Sequence, residues 1–283
     1  MKAVVFHGKL DVRVEDRPLP KIVDPTDIII KVRYTALCGR YVYMISIYDT
    51  GLTGSSELHV FRGHQPSKTG FIMGHETTGE VWEVGSSVKN HKKGDLVIMP
   101  FTVSCGECFY CIGGHSSRCV KSLLFGSPLL DGGQAEFMRV PLADATAVKA
   151  PEGIDEKKLV LMADIFPTGY FAAANAFRGM DEKTIQQSVV VLIGCGPVGL
   201  CALINAFEYK PRVVIAIDRV ESRLALAKKL GAEPWNDQTS KDGMEFMKTL
   251  HLNHLMLSRI GEAGERTYRR KGCRHGYRGR WTR

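Results

Sequence analysis

SVVVLIGCGPVGLCALINAF, residues 188–207, is the stretch of sequence that decides the fold. It begins with an apolar, β-branched run of strand length and continues into an apolar segment that predicts a helix. Between the two stand Gly194, Gly196 and Gly199, in the pattern Gly-x-Gly-x-x-Gly. A strand, a glycine turn and a helix in this order are typical of the first unit of a dinucleotide-binding βαβ fold.

Each position of this turn has a physical role in binding a dinucleotide. Gly194 permits the tight turn, Gly196 lets the backbone approach a pyrophosphate, and Gly199 lets the helix pack closely on the strand. Pro197 and Val198 open the helix, whose N-terminus faces the pyrophosphate charge. The competing interpretation is an apolar βα unit with incidental glycines. In both cases Cys195 and Cys201 are interpreted as small packing residues.

The next predicted strand, RVVIAID, ends at Asp218. A carboxylate at this place accepts hydrogen bonds from the ribose hydroxyls and repels a 2′-phosphate. NAD is therefore favoured over NADP. Arg219 and Arg223 follow closely and keep NADP open as the alternative.

Hydrophobic patterning divides the chain near Ala150–Pro151. Before this point, short alternating or β-branched runs are separated by Gly, Pro and Asp: KAVVFHG, KLDVRVED, DIIIKVRYTAL, TGEVWEVG and GDLVIMP. After it, the helical segments ADIFPTGYFAAANA and ESRLALAKKLGA alternate with apolar strands, which is βαβ organisation. The sequence therefore predicts an α/β protein with a β-rich N-terminal domain.

Composition and charge exclude several classes of protein. Hydrophobic residues make up 44% and charged residues 24% of the 283, as in a soluble globular protein. We find no apolar stretch of signal-peptide type and no run near the ~20 residues that span a bilayer, so we expect a cytoplasmic protein without a membrane partner. Residues 259–283 hold nine Lys or Arg and two Glu, and so account for seven of the eight net positive charges. Nucleic acid is therefore not expected as a partner of the body of the chain.

Four cysteines lie within fifteen residues: Cys105, Cys108, Cys111 and Cys119. In a reducing compartment such spacing indicates a metal site rather than disulfides. Four thiolates on one loop suit a closed, tetrahedral structural zinc site. An iron–sulfur cluster and four unrelated free cysteines are the alternatives.

A second set of candidate ligands is dispersed along the chain. Cys38 precedes a glycine, His75 and Glu76 follow Gly74, and Asp164 lies in the run Ala-Asp-Ile-Phe-Pro-Thr-Gly-Tyr. Alone, a Gly-His-Glu turn is weak evidence, because an isolated histidine is more often a core or surface residue than a ligand. Its weight comes from the order of all these motifs.

That order resembles the zinc-containing medium-chain dehydrogenase/reductase superfamily over roughly residues 1–240. The branch that it resembles most contains formaldehyde, threonine and polyol dehydrogenases, in which Asp can supply the late zinc ligand. The resemblance implies a GroES-like catalytic domain over residues 1–150 and an incomplete NAD-binding Rossmann domain over residues 151–243. It also implies hydride transfer between an alcohol, or an aldehyde adduct, and NAD, with homo-oligomers in the full-length family.

The same resemblance assigns roles to single residues. Cys38, His75 and Asp164 would hold a catalytic zinc, with Glu76 as a ligand or an exchangeable neighbour. The four-cysteine loop would hold a second, structural zinc. Such a catalytic site keeps an open position at which a small-molecule alcohol or aldehyde is polarised.

Proton release is where the sequence departs from the family pattern. The family places a Ser or Thr two residues, and a His five residues, beyond the first cysteine ligand. Here Ser56 and His59 form the matching pair, but His59 lies 21 residues from Cys38.

The departure comes from RYVYMISIYDTGLTGS, from Arg40 to about Ser55. This insertion is expected to displace either the metal ligand or its proton relay. One hypothesis is a retained intron that preserves the reading frame, because Arg40-Tyr41-Val42 and Leu52-Thr53 can be encoded as a splice donor and a branch point. A genuine surface loop is the alternative, and transcript sequencing distinguishes the two.

Residues 244–283 lose the βαβ rhythm and end in RTYRRKGCRHGYRGRWTR. As protein, this composition predicts a disordered basic tail or an RNA-binding arm. A shift of reading frame from Tyr268 onward is the preferred hypothesis, because permitted codons then yield TDGRGADMVIEVVGH, which resembles the next Rossmann segment. On this view the family's remaining residues are missing, and weak or absent turnover is expected.

Two further hypotheses compete with the enzyme. One is a catalytically inactive zinc-binding remnant with a basic tail, which would hold one zinc and no NAD. The other is RNA binding through residues 259–283. Metal content and NAD affinity separate the remnant from the enzyme, and salt-dependent RNA retention tests the tail.

Overall fold

The computed structural model describes residues 1–39 and 57–236. Met1–Pro234 form one compact unit. The inserted segment at 40–55 and the tail at 244–283 lie outside the described residues. The boundary near residue 150 therefore falls within that unit, and the division there remains a prediction.

The N-terminal part is built from antiparallel strands. A hairpin pairs β1 (Lys2–Gly8) with β2 (Asp11–Asp16). A five-stranded sheet has the order β6-β3-β4-β5-β7. Its strands are β3 (Ile28–Ala36), β4 (Glu76–Val84), β5 (Leu96–Met99), β6 (Phe137–Val140) and β7 (Val148–Lys149).

The alternation of apolar and polar residues explains which face of this sheet is buried. Ile28 and Ile30 of β3, Val81 of β4 and Val97 and Met99 of β5 form one buried cluster. Side chains two residues apart lie on the same face of a strand, so this apolar face makes the core. The ends of β3 and β4 are thereby fixed beside each other, and candidate ligands lie at both.

Short helices connect these strands. They are α1 (Glu57–Phe61), α2 (Phe109–Ile112), α3 (Ala143–Thr146) and α4 (Glu156–Leu159), with single 3-10 turns at Ser116–Arg118 and Val160–Ala163. Two longer helical segments follow, α5 (Ile165–Ala176) and α6 (Glu182–Gln187). Pro167 is tolerated in α5 because it lies in the first turn, where no intrahelical N–H bond is required.

The last described part follows the βαβ pattern. It consists of β8 (Val189–Ile193), α7 (Pro197–Glu208), β9 (Val213–Asp218), α8 (Glu221–Lys229) and β10 (Glu233–Asn236). The sheet order is β10-β9-β8, and β8 and β9 are parallel from Val189↔Val213 to Ile193↔Ile217. Cys195 belongs to the buried cluster beneath this sheet, as predicted for a packing residue.

The predicted fold class is confirmed. Of the five runs proposed as strands before residue 150, four contain β1, β2, β3 and β5, and the run TGEVWEVG covers β4 except for its first two residues; the two proposed helical segments contain α5 and α8. By length and composition, no single helix in residues 1–39 and 57–236 could cross a membrane, although the bent pair Glu156–Ala163 and Ile165–Ala176 passes that test when taken together.

Candidate metal centre and nucleotide-binding loop

Four predicted ligands converge on one buried point. Cys38 follows β3, His75 and Glu76 stand at the start of β4, and Asp164 precedes the first turn of α5. One ligand atom from each of them lies within 4.8 Å of all the others, and all four residues are buried. Residues far apart in sequence are therefore brought together by the pairing of β3 with β4 and by the start of α5.

The dimensions of this set suit a zinc ion. His75 Nε2 and Asp164 Oδ2 are 3.7 Å apart. Bonds of about 2.0–2.3 Å in a tetrahedral site place ligand atoms roughly 3.3–3.8 Å from one another. One imidazole, one thiol and two carboxylates also match the nitrogen, sulfur and oxygen ligands that zinc accepts. The donor set therefore fits the metal that the sequence predicts.

Glu57, at the start of α1, contacts two of these candidate ligands, Cys38 and His75. Its Oε1 lies 2.7 Å from His75 Nδ1 and accepts a bond from the His75 backbone N–H at 3.1 Å. Its Oε2 accepts the backbone N–H of Cys38 at 2.5 Å. A carboxylate on Nδ1 fixes the imidazole so that Nε2 points at the metal position. Sequence reasoning assigned Glu57 no role, because nothing in the local pattern reveals that this acid is buried.

The acidic groups of this cluster favour a positive charge among them. Burial lowers the pKa of His75, but the hydrogen bonds that the imidazole donates to Asp164, Cys38 and Glu57 outweigh this effect and raise the pKa to about 12. The cluster therefore favours a positive charge at its centre. A divalent ion at this point would supply the positive charge, because the acidic groups that accept hydrogen bonds from the imidazole would ligate the metal.

Asp164 is oriented by its own helix. Thr168 Oγ1 donates a hydrogen bond of 2.8 Å to Asp164 Oδ1. The other carboxylate oxygen, Oδ2, is the one that faces His75. The run Asp-x-x-Pro-Thr in the sequence thus places a ligand and its hydrogen-bond donor one turn apart.

Of the two predicted proton-relay residues, only His59 can be placed, because Ser56 lies outside the described residues. His59 stands on α1, two residues after Glu57, and its Nε2 is buried. Its ring makes an edge contact with that of His64, at 5.7 Å between centroids.

The insertion does not push α1 away from Cys38. The backbone N–H of Leu58 donates to the Cys38 carbonyl at 3.3 Å, in addition to the contact of Glu57 with the Cys38 N–H. Cys38 is therefore not displaced from α1 in the part of the chain that the structure describes, whereas the position of the proton relay stays a prediction, because Ser56 lies outside the described residues.

The four cysteines form the second cluster predicted from the sequence. Their sulfurs lie within 4.8 Å of one another on the loop that contains α2. Backbone N–H groups donate to the sulfurs: that of Cys105 to Cys119 Sγ at 3.2 Å, and that of Cys108 to Cys105 Sγ at 3.4 Å. These bonds favour thiolates, which are the form that binds metal.

The pKa values of these thiols diverge, as expected for groups that share one space. The backbone N–H groups of Val120 and Cys111 lower the pKa of Cys108 to about 6. Desolvation, together with the neighbouring sulfurs of Cys108 and Cys119, raises the pKa of Cys111 to about 11. A divalent cation at the centre would favour the deprotonated form of all four.

The glycine turn lies between β8 and α7. Gly194 has φ +92°, which favours glycine, and a Cβ added at Gly199 would lie 1.9 Å from the Gly194 carbonyl oxygen. A Cβ at Gly196 would meet open space. Gly196 precedes Pro197, the first residue of α7, so the helix N-terminus opens onto that space. This is the arrangement that admits a pyrophosphate.

Asp218, at the end of β9, contacts the glycine turn directly. It accepts the backbone N–H of Cys195 at 2.7 Å, that of Arg219 at 2.7 Å and that of Val220 at 2.9 Å. Desolvation opposes its ionisation, but these N–H groups outweigh it and lower the pKa of the carboxyl. Asp218 thus remains ionised and braces the turn, a role that the sequence did not predict.

Comparison with known proteins gives two kinds of match. The model of the alcohol dehydrogenase GroES-like domain matches residues 24–152. In structure, the chain is similar to the alcohol dehydrogenase TADH from Thermus sp. ATN1, with a TM-score of 0.75 and 29% identity, over 89% of this chain and 68% of that one.

Curated relatives are more similar in sequence. The zinc-type alcohol dehydrogenase B of Aspergillus flavus is 60% identical over 87% of this chain. The medium chain reductase/dehydrogenase ucsI of Acremonium sp. is 54% identical over 83% of this chain and 75% of its own length. The chain spans 54% of the length of the Aspergillus relative, about half of it.

Proposed function

The chain belongs to the zinc-type medium-chain alcohol dehydrogenases, and from this premise we propose that its protein is a zinc-dependent oxidoreductase. The reaction is hydride transfer between an alcohol, or an aldehyde adduct, and NAD. The observation that carries the proposal is the convergence of Cys38, His75, Glu76 and Asp164 within 4.8 Å at a buried point. A small-molecule alcohol or aldehyde is the proposed substrate class.

We assign the catalytic zinc to Cys38, His75 and Asp164, with Glu76 as the fourth, exchangeable ligand. When bound, the metal supplies Lewis-acid polarisation of the substrate oxygen. Glu57 is a positioning residue: it holds the Nδ1 side of His75 so that the opposite nitrogen points at the metal position. Thr168 holds one oxygen of Asp164 in the same way.

We assign the nucleotide to the turn after β8. Gly194, Gly196 and Gly199, with Pro197 and Val198, form its pyrophosphate cradle. A nicotinamide held there would supply the acceptor for the hydride. Asp218 stabilises the turn by accepting a hydrogen bond from the Cys195 backbone N–H. Asp218 and Arg219 also lie where the ribose is expected. The ionised carboxylate of Asp218 favours NAD over NADP, since it would repel a 2′-phosphate.

We assign release of the substrate proton to Ser56 and His59. This assignment is supported by the position of His59 on the helix whose first residue, Glu57, contacts two of the candidate ligands. The ring of His59 lies beside that of the exposed His64. Histidine is suited to the step because its ordinary pKa lies near neutrality.

The four-cysteine loop is assigned a structural zinc. Its ligand set is all sulfur and closed, so it offers no position for a substrate. Two zinc ions per chain are therefore proposed. The division into a catalytic part before residue 150 and a nucleotide-binding part after it follows from the same assignment, as does a cytoplasmic, homo-oligomeric protein.

The experiment is a metal and cofactor titration of the purified 283-residue chain. Two zinc equivalents by elemental analysis and saturable quenching of NADH fluorescence are expected. One zinc equivalent without NADH binding would contradict the proposal and favour the inactive remnant. Alcohol-dependent formation of NADH then tests turnover.

Two glycine variants make the cofactor test specific. Gly196→Ala adds a methyl group into open space, so the fold is expected to persist while NADH affinity falls. Gly199→Ala places a Cβ against the Gly194 carbonyl, so both the turn and NADH binding are expected to fail. Unchanged NADH affinity in Gly196→Ala would show that the pyrophosphate does not approach this turn.

A further inference from the structure

Two helices connect the candidate metal centre with the nucleotide-binding loop. Asp164 immediately precedes α5, and the glycine turn leads into α7, which begins at Pro197. Both helices belong to the same compact unit, Met1–Pro234. The packing of α5 on α7 therefore fixes how far apart Asp164 and the glycine turn lie.

The two helices lie side by side and run in the same direction. Near their N-terminal ends, Gly169 of α5 lies directly against Cys201 and Ala202 of α7. At their C-terminal ends, the ring of Phe177 stacks on that of Tyr209, with 4.7 Å between the centroids. The contact at the start of one helix is thus followed by a contact at the end of both.

This arrangement brings both functional ends to the same end of the helix pair. Asp164 lies five residues before Gly169, and Pro197 lies five residues before Ala202. Each is therefore about 7 Å along the helix axis from the contact at Gly169. A change of spacing at this contact is passed on directly to the separation of the two sites.

The contact leaves no room for a side chain at Gly169. A Cβ there would lie 2.5 Å from the backbone nitrogen of Ala202, 2.6 Å from the carbonyl carbon of Cys201 and 2.7 Å from the Cys201 Cβ. Non-bonded carbon atoms prefer separations of about 3.5–4.0 Å, so an alanine would push the helices apart by roughly 1 Å. Glycine weakens the interior of a helix, and what it provides here is the close approach.

Of the two helices, α5 is the one expected to move. Leu203 of α7 is fully buried in the cluster beneath the sheet. The buried residues of α5 are Gly169 and Ala173, and Ala173 belongs to the same cluster as Ala206 of α7. Since α7 is held by the sheet, a methyl group at Gly169 would displace α5, and Asp164 with it.

We propose that Gly169 is a positioning residue: it lets α5 lie against the backbone of α7 and so sets the separation between Asp164 and the glycine turn. The inference rests on the proposed function, because hydride transfer requires the substrate and the nicotinamide to lie close together. A misplacement of about 1 Å is costly in such a geometry.

The first test is the affinity of the metal centre in the 283-residue chain, with zinc in the cysteine loop and Co²⁺ at Cys38, His75 and Asp164. Co²⁺ is the probe because its visible absorption bands depend on its ligands. Gly169→Ala is expected to bind Co²⁺ roughly tenfold more weakly than wild type and with shifted bands, since one ligand is displaced. The cysteine loop should keep its zinc.

Phe177→Ala is the matched control in the same helix pair, because it removes the stacking contact with Tyr209 at the far end. It is expected to lower the urea concentration at the midpoint of unfolding, as the loss of a buried ring does. Its Co²⁺ affinity and absorption bands should stay those of wild type. This control separates a loss of stability from a loss of position.

A second variant keeps the test valid if the methyl group alone prevents folding. Gly169→Ala/Cys201→Gly removes the Cys201 Cβ and leaves the two backbone atoms in the way. Its Co²⁺ affinity is therefore expected to lie between those of Gly169→Ala and wild type.

The separation itself is measured by the paramagnetic relaxation that Co²⁺ at the metal centre causes in the phosphorus nuclei of bound NADH. This relaxation falls steeply with distance. With Co²⁺ and NADH at saturation, it is expected to be slower in Gly169→Ala and unchanged in Phe177→Ala.

Wild-type Co²⁺ affinity in either Gly169 variant, or an equal loss in Phe177→Ala, would overturn the proposal. Phosphorus relaxation that is the same in Gly169→Ala and wild type would do so as well. If the wild-type chain itself binds no Co²⁺ outside the cysteine loop, or no NADH, the proposed function fails and this inference fails with it. The two kinds of failure are thus distinguished, and no readout depends on turnover.

Discussion

The two metal-ligand clusters of this chain are built in opposite ways. The cysteine loop draws all four sulfurs from residues 105–119, and backbone N–H groups of the same loop stabilise them. The cluster at Cys38 takes its candidate ligands from positions spread over residues 38–164, and Glu57 contacts two of them, Cys38 and His75. The first needs only a local fold, whereas the second needs the sheet, α1 and α5 to be in position.

The two clusters also differ in whether a substrate could reach a metal bound there. Four thiolates leave no open position, so a metal there stabilises the loop. The mixed cluster contains one ligand, Glu76, that the family resemblance treats as exchangeable, so a substrate oxygen can compete for its place. On the proposed function, the cysteine site would stabilise the fold, and the mixed site could open for chemistry.

The largest effects are expected when each cluster loses one ligand. His75→Ala should weaken zinc binding at the mixed cluster by roughly a thousandfold or more, because an acidic, buried set then lacks its only nitrogen ligand. The cysteine loop should keep its zinc. Cys108→Ala should do the reverse and also lower the free energy of unfolding, since a structural metal contributes folding energy. Elemental analysis of both variants checks this, and a simultaneous loss of both ions in His75→Ala would show that the clusters are not independent.

Glu57 offers a finer test of the mixed cluster. Glu57→Gln keeps the shape of the side chain but weakens its hold on His75 Nδ1 and on the Cys38 N–H. Zinc affinity there is expected to fall about 10- to 100-fold, with the cysteine loop unaffected. Competition with a chromophoric chelator measures the affinity of each site. If Glu57→Gln and wild type bind zinc equally well, Glu57 does not position the ligands.

The segment 40–55 tests whether the mixed cluster depends on what separates its first ligand from α1. A chain that joins Gly39 to Ser56 is expected to keep two zinc equivalents, because Cys38 already contacts Glu57 and Leu58. It should gain about 1–2 kcal/mol in free energy of unfolding, since a long loop no longer has to be closed. Denaturant unfolding of the zinc-loaded chains measures the change. Loss of one zinc ion in the shortened chain would mean that the segment supports the site.

The smallest effect is expected outside both clusters. His91, between β4 and β5, is buried, and neither of its ring nitrogens has a hydrogen-bond partner among residues 1–39 and 57–236. His91→Leu should raise the free energy of unfolding by about 1 kcal/mol, because it removes two unsatisfied polar atoms. Metal content should stay at two ions. A lower stability in His91→Leu would indicate that the imidazole has a partner or packs better than leucine.

Sequence reasoning succeeded where structure is local. The strand–turn–helix at residues 188–207 and the four-cysteine loop each contain their whole pattern within about twenty residues, and both lie as expected. The ligands Cys38, His75, Glu76 and Asp164 were found only through the order of motifs, because no local pattern shows that they share one point.

What the sequence could not supply are contacts between distant residues. Burial decides the role of Glu57, and burial is a property of the packed sheet. The bond of Asp218 to the Cys195 N–H depends on β9 lying beside β8. The insertion led us to expect that either the metal ligand or its proton relay is displaced, yet both Leu58 and Glu57 contact Cys38.

The most direct measurement is an anomalous-difference map at the zinc edge from crystals of the zinc-loaded chain. The account predicts two peaks, one among the four cysteine sulfurs and one bonded to Cys38, His75 and Asp164. A single peak at the cysteine loop, with those three side chains bonded to no metal, would contradict it.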